Sequence, residues 1–209
     1  MSDYETDDEK VEAIKKWWKE NGMSVVIGLA VGLAAVYGWR AWTDYRNSVG
    51  SQASAAFEQL AASAEAGQLD SAAKQEEILS SRFGSTPYPS FGALVIAKAR
   101  YDQGDAAGAM TTLQQVIEKA PDPALARLAA LRLARIQLAE GQLDAAAATV
   151  AAHDNSPAFV GDFAAVRGDI AAARGDHAGA RREYERAIAA GTSLPQLIRL
   201  KLDNLPAAG

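Results

Sequence analysis

The residues that could carry acid–base or metal chemistry in this chain are few. There are two histidines, His153 and His177, and no cysteine. His153-Asp154-Asn155 has the composition of a proton relay. Such a relay needs its three side chains to converge from different elements, however, and sequence neighbours at a turn diverge. A histidine metal site wants a second ligand one helical turn away or a carboxylate cluster around it, and neither histidine has one. No thiolate nucleophile, Gly-x-Ser-x-Gly elbow or phosphate-cradling glycine loop is present. The acidic residues are spread over polar helix faces, as solvation requires. The sequence therefore predicts no enzymatic activity, no bound metal and no cofactor.

The arginines are more informative. Arg127, Arg132, Arg135, Arg167, Arg174, Arg181, Arg182 and Arg186 gather in the later part of the chain. A guanidinium can pair with the carboxylates or backbone carbonyls of an extended or unfolded chain. On this reading Arg132, Arg135, Arg167 and Arg182 are candidate groove residues. The alternative is a set of solvated faces, with the arginines salt-bridged to Glu183, Glu185 and Asp169.

A groove needs walls, and the sequence supplies them as repeats. Gly67-Gln-Leu-Asp-Ser-Ala72, Gly104-Asp-Ala-Ala-Gly-Ala109, Gly141-Gln-Leu-Asp-Ala-Ala146 and Gly175-Asp-His-Ala-Gly-Ala180 recur with glycine spacings of 37, 37 and 34 residues. A helical pattern precedes each glycine and another follows it. The glycine predicts a positive-φ stop to the first helix. Asp70, Asp105, Asp144 and Asp176 then stand where they can cap the second, and the fifth-position alanine lets that helix pack closely. This resembles the tetratricopeptide repeat. The best copy, about 161–194, carries Gly168, Gly175, Ala180, Tyr184 and Ala187, and the first copy is the weakest. Pro-containing connectors separate the pairs. A last helix containing Leu197, Ile198 and Leu200 is expected to cover the end of the stack, since solenoids need a cap.

Ahead of the repeats, Asn21 to Trp39 contains no charged residue. At about 1.5 Å rise per residue, a span of about 20 residues crosses a bilayer core of about 30 Å. Trp17 and Trp18 precede this stretch and Trp39 and Trp42 follow it, the placement of headgroup-level aromatic belts. The polar lead-in and the Tyr-Gly-Trp-Arg-Ala-Trp exit make a poor cleavage site, so a retained anchor is expected. Lys10, Lys15, Lys16 and Lys19 on one side against Arg40 and Arg46 on the other place the N-terminus in the cytoplasm and the repeats outside. Gly28, Gly32 and Ala35 form a small-residue face on which another helix can pack. Val11, Ile14 and Trp18 share one face of a short lysine-flanked helix that either lies on the membrane surface or, the favoured reading, leads directly into the span, while Met1 to Asp8 is expected to be disordered.

Composition agrees. The 209 residues include 46 alanines, which favours close-packed helices and argues against a β fold. A net charge of −5 argues against nucleic acid as a partner. The mean hydropathy of −0.11 averages a membrane helix with polar neighbours. The expected architecture is all-α: a cytoplasmic tail with a short amphipathic helix (1–22), a single N-terminal transmembrane helix (23–42), and a periplasmic tetratricopeptide-like α-solenoid of about four helix pairs (43–209). Gly67, Ala72, Gly104, Ala109, Gly141, Ala146, Gly175, Ala180 and Tyr184 are its expected packing positions.

Tyr4, Val11-Glu-Ala-Ile-Lys-Lys-Trp-Trp-Lys-Glu-Asn-Gly22, Gly38-Trp-Arg-Ala-Trp42, Leu131-Arg-Leu-Ala-Arg-Ile136 and Arg199-Leu-Lys-Leu-Asp-Asn-Leu205 together resemble the YfgM family. Its members are ancillary subunits of the bacterial Sec translocon. The resemblance runs nearly the length of the chain, with Trp17-Trp18 replacing a Phe pair and repeats richer in alanine. It implies a single-pass protein of the bacterial inner membrane that associates with SecYEG and with a membrane-anchored parvulin-like isomerase, PpiD. It further implies a role in passing unfolded secretory chains to periplasmic chaperones, and it brings no catalytic residues. Two other functions fit the same architecture: a regulator of an envelope stress response acting through the cytoplasmic tail, and an envelope assembly scaffold whose repeats bind a cell-wall or division protein.

Overall fold

The computed structural model describes residues 7–206, with side chains from residue 9 onward. Tyr4 and most of the start expected to be disordered lie outside the described residues. Asp7 and Asp8 are the first residues of helix α1 (Asp7–Glu65). The chain divides into two compact units, Met1–Ser51 and Gln52–Gly209, with the division inside α1. Among the described residues there is no strand.

The first unit contains α1 up to Ser51. Its apolar stretch is long enough to cross a membrane, and its side chains point outward on every side. Met23, Ile27, Leu29, Val31 and Leu33 are all exposed. A helix that is apolar all round, with its backbone hydrogen bonds satisfied internally, suits a lipid surrounding. Val11, Ile14 and Trp18 are likewise exposed, on a helix that runs into the span without a break.

In the second unit, the end of α1 pairs with α2 (Leu69–Arg82), α3 (Tyr88–Asp102) with α4 (Ala106–Lys119), and α5 (Pro123–Ala139) with α6 (Leu143–His153). After a 3-10 turn at Pro157–Phe159, α7 (Val160–Ala173) pairs with α8 (His177–Ala189), and α9 (Pro195–Asp203) ends the stack.

Each pair is folded by the same turn. Gly67, Gly104, Gly141 and Gly175 have φ of 74°, 88°, 74° and 79°. The residue after each glycine donates its N–H to a carbonyl five residues back: Gln68 to Ser63, Asp105 to Arg100, Gln142 to Gln137 and Asp176 to Ala171, all at 2.8–2.9 Å. This Schellman closure requires the left-handed conformation that glycine adopts without a steric cost. Gly191 (φ 81°) and the Thr192 to Ala187 bond repeat it between α8 and α9.

The capping that follows takes two forms. Asp105 accepts from Gly108 N, and Asp176 from Gly179 N, each at 2.8 Å. In the Gly-Gln-Leu-Asp copies the N-cap residues are Gln68 and Gln142, which make no side-chain cap bond. Asp70 and Asp144 therefore lie in the first helical turn and do not cap. There their charge still favours the helix N-terminus through the macrodipole.

Close approach defines the packing. Ala72, Ala109, Ala146 and Ala180 are each 0% exposed. A methyl built on Gly168 would collide with the Tyr184 ring, and one on Gly92 would come within 2.9 Å of Leu60 Cδ1. Gly161 lies against the backbone of the α8–α9 turn, 2.6 Å from Thr192 N to a Cβ placed there.

The buried side chains form serial clusters, with no single central core. Leu94, Leu113 and Leu133 join α3, α4 and α5. Leu131, Val150, Phe163 and Val166 join α5, α6 and α7. Ala164, Tyr184, Ala187 and Ile198 join α7, α8 and α9. Each first helix therefore buries two faces: α5 sends Ala129 and Leu133 one way and Ala130 and Ala134 the other. This nearest-neighbour arrangement is the solenoid logic. The weak first copy is a real helix pair, joined onward by the rings of Phe57, Tyr88 and Phe91 at 5.9–6.2 Å and by Gln103 Nε2 donating to Gly67 O at 3.1 Å.

The end cap differs from expectation. Ile198 is buried, with Leu202 and Leu205 packed partly against the same cluster. Leu197 and Leu200 are exposed, as is Leu194. The helical rotation that turns Ile198 and Leu202 inward leaves Leu197 and Leu200 exposed.

Gly168→Ala should lower the stability of the repeat unit by about 1–3 kcal/mol, the usual cost of overpacking. Thermal unfolding of the full chain, followed by circular dichroism in detergent, would show it as a lower midpoint. An unchanged midpoint would mean that the Tyr184 ring moves aside freely.

Candidate functional site

Three clefts of the second unit are lined by the candidate arginines, and they are built from different helices. The end of α1 with α3 and α5 encloses about 540 Å³ over Ala64, Leu94 and Ala99, rimmed by Glu65, Lys98, Asp102 and Arg132. Further along, α5, α7 and α9 enclose about 340 Å³ over Leu138 and Ala165, beside Leu194, Leu197, Arg135, Asp169 and Lys201. Both lie along the first helices of the pairs. The third, about 580 Å³, lies between the second helices α6 and α8 over α7, with Val150 and Ile170 in its floor. Arg167, Arg174, Arg182 and Arg186 line it.

The four candidate groove arginines therefore do not share one groove. Arg132 and Arg135, three residues apart on α5, fall in neighbouring clefts of the first-helix face. Arg167 and Arg182 lie together in the cleft of the second-helix face. Sequence spacing alone could not separate these sets, because helical phase relative to two neighbours decides which side a residue faces.

Their electrostatic states differ too. Arg132 Nη1 donates to Leu94 O at 3.3 Å, tying α5 to α3. Burial, then the nearby charge of Arg135, lowers its pKa from the usual arginine value. Arg167 pairs with Glu183 through Nε at 2.8 Å and with Asp154 through Nη1. Burial works against its charge, but the hydrogen bonds and charges of Glu183 and Asp154 outweigh that and raise its pKa. Arg174 pairs with Asp144, while Arg182 is exposed. Of the expected carboxylate partners, Glu183 holds Arg167, whereas Asp169 accepts from Lys201 Nζ at 2.6 Å and from Tyr184 Oη at 2.7 Å. Burial first, then that bond and the charge of Asp169, push the Tyr184 phenol up.

The residues with catalytic composition are used structurally. Asp154 meets Arg167, and Asn155 Oδ1 accepts from Arg127 Nε at 3.2 Å. Among the described residues, no group of three or more His, Cys, Asp or Glu is placed to hold a metal.

Asp162 is a structural residue that sequence reading missed. From the first turn of α7 its Oδ1 accepts from Thr192 Oγ1 at 3.0 Å, Ser193 N at 2.9 Å and Ser193 Oγ at 2.6 Å. It thereby fastens the turn leading into α9. Burial alone would raise its pKa, but the bonds from Ser193 and Thr192 and the charge of Arg135 hold it below the usual 3.8. The partners lie 30–31 residues downstream, so no local pattern signals them.

In the first unit, Trp17 and Trp18 stand 6.4 Å apart between ring centroids, and Trp39 and Trp42 5.3 Å apart. All four are exposed, and the Arg46 guanidinium sits 4.9 Å above the Trp42 ring. Ala35 is exposed, and a Cβ placed on Gly28 or Gly32 would meet nothing within 4 Å. That face is open to a partner helix or to lipid.

A family model described as a tetratricopeptide repeat-like domain matches residues 15–207. A Haemophilus influenzae protein named Ancillary SecYEG translocon subunit is 30% identical over 200 residues, covering 95% of this chain and 97% of that protein. Proteins of the same name from Escherichia coli K12 and Aggregatibacter actinomycetemcomitans are each 30% identical, covering 72% and 67% of this chain and 72% and 68% of their own lengths. No solved structure matches the chain.

Acidification provides a test of the Asp162 clasp. A carboxylate with a depressed folded-state pKa contributes stability that is present above its unfolded pKa and lost as pH falls through the folded one. The midpoint of thermal unfolding should therefore drop as pH falls below about 4. Asp162→Asn should lower the neutral-pH midpoint and flatten that drop. An equally steep fall in the variant would assign the acid sensitivity to other carboxylates.

Proposed function

The chain belongs to the YfgM family of ancillary SecYEG translocon subunits, and from that premise we propose that it is a non-enzymatic adaptor of the bacterial inner membrane. It associates with the SecYEG channel through its membrane helix and its repeats. The observation that carries this reading is the match to the Haemophilus influenzae subunit, which covers 95% of this chain, the apolar stretch of α1 as well as the repeats.

The asymmetry of Lys10, Lys15, Lys16 and Lys19 against Arg40 and Arg46 supports a cytoplasmic N-terminus and periplasmic repeats. The open Gly28–Gly32–Ala35 face supports lateral packing against another membrane helix, since small residues let backbones approach. The clefts of the second unit offer shallow apolar floors with charged rims, the kind of surface that holds a partner domain or a passing secretory segment. A membrane-anchored isomerase of the PpiD type is the expected fixed partner, and secretory chains are handed on to periplasmic chaperones.

In vivo photocrosslinking from Gly28 and from Arg182, read by mass spectrometry, should recover translocon subunits or secretory precursors. Recovery of only cell-wall or division proteins would sink the proposal.

Topology has an independent check, because the chain carries no native cysteine. A membrane-impermeant thiol reagent applied to intact spheroplasts should label Ala207→Cys and leave Ser2→Cys untouched. The reverse pattern would invert the assignment.

A further inference from the structure

We propose that the cleft between α6 and α8 docks an acidic amphipathic helix of a partner protein. This inference does not depend on translocon association. It follows from which charges in the cleft are already used.

Of the arginines lining it, Arg167 is held by Asp154 and Glu183, and Arg174 by Asp144. The acidic groups in the wall are equally committed. Glu183 holds Arg167, and the Asp176 carboxylate caps α8 at Gly179 N. Arg182 and Arg186 remain, both exposed, and among the described residues neither guanidinium has an ion pair or hydrogen bond. The cleft thus carries two uncommitted positive charges beside an apolar floor.

Geometry selects the occupant. Arg182 and Arg186 are one helical turn apart, which puts their Cβ atoms about 5–6 Å from each other. Carboxylates one turn apart on an incoming helix share that spacing. Apolar side chains adjoining that flank would then fall over Val150 and Ile170, where Ala147, Ala151 and Ala171 leave room. Guanidiniums are suited to this role because they are weakly hydrated and can grip a carboxylate through two N–H groups. The 540 Å³ cleft along α1, α3 and α5 lacks this surplus: Lys98 is paired with Asp102, and Arg132 is bound to a carbonyl.

The test uses the full chain in phosphatidylcholine nanodiscs. Two fluorescein-labelled amphipathic helical peptides share a leucine face and carry either Glu or Lys at i,i+4 on one flank. Fluorescence anisotropy should show saturable binding of the Glu peptide, with the Lys peptide at least about tenfold weaker. The double variant Arg182→Glu/Arg186→Glu should reverse that order. Arg199→Glu, on exposed α9 outside the cleft, should leave it unchanged, and circular dichroism should confirm that the variants fold. The proposal is overturned if the double variant leaves the order of the two peptides intact, or if neither peptide binds. Two other results overturn it in favour of another occupant. One is binding to phosphatidylglycerol vesicles that needs Arg182 and Arg186 while the Glu peptide fails to bind, which would assign these arginines to lipid headgroups. The other is self-association of the chain that the double variant abolishes, which would assign them to a second copy.

Discussion

The repeat unit depends on how closely its helices can approach one another. At Ala72, Ala109, Ala146 and Ala180 the second helix of each pair is fully buried at a residue with one side-chain carbon. At Gly92 and Gly168 the first helix offers no side chain, and Leu60 or the Tyr184 ring fills the space. Protein interiors are packed to crystal-like density, so an added methyl at such a crossing has no void to enter. Because each cluster is shared between successive pairs, a displacement at one crossing is felt by the next pair as well. The alanine content of the chain is the chemical expression of this geometry.

Small residues mean something else in the first unit. Gly28, Gly32 and Ala35 are exposed, on a helix whose leucines, isoleucines and valines are exposed with them. Water would penalise that surface, whereas hydrocarbon would not. The aromatic pairs at the two ends of the stretch keep one edge polar and one apolar, which suits a boundary between the two solvents. The same residue types thus form a buried seam in one unit and an open face in the other, according to the surrounding solvent.

Polar residues hold the end of the stack together. Asp162 clasps the α8–α9 turn, Asp169 joins Tyr184 to Lys201, and Arg167 bridges Asp154 and Glu183. These links join residues well apart in sequence and are partly shielded from water, where truncating one partner would leave the other unsatisfied. The first two fix α9 even though Leu194, Leu197 and Leu200 stay exposed. The arginine-rich appearance of the last repeats therefore resolves into structural cations and a smaller uncommitted set, Arg182 and Arg186.

The sequence by itself determined the local and periodic features. A glycine with helical pattern on both sides forces a turn, because only it adopts positive φ cheaply. An alanine recurring at fixed distance marks a close crossing, and an uncharged stretch framed by tryptophans marks a span. Each of these rests on backbone conformation or solvent preference within a few residues, so linear order suffices. The tertiary structure decided which Asp caps a helix and which merely sits in its first turn: the N-cap falls on the residue after each glycine, which is Asp105 in one copy and Gln68 in another, leaving Asp70 two residues further on. It also decided that Arg132 and Arg135 face away from Arg167 and Arg182, that Ile198 turns inward while Leu197 and Leu200 turn out, and that Asp162 reaches Ser193. Those outcomes depend on the rotation of each helix against two neighbours, which is set by packing among residues 30 or more positions apart. Local pattern carries no record of it.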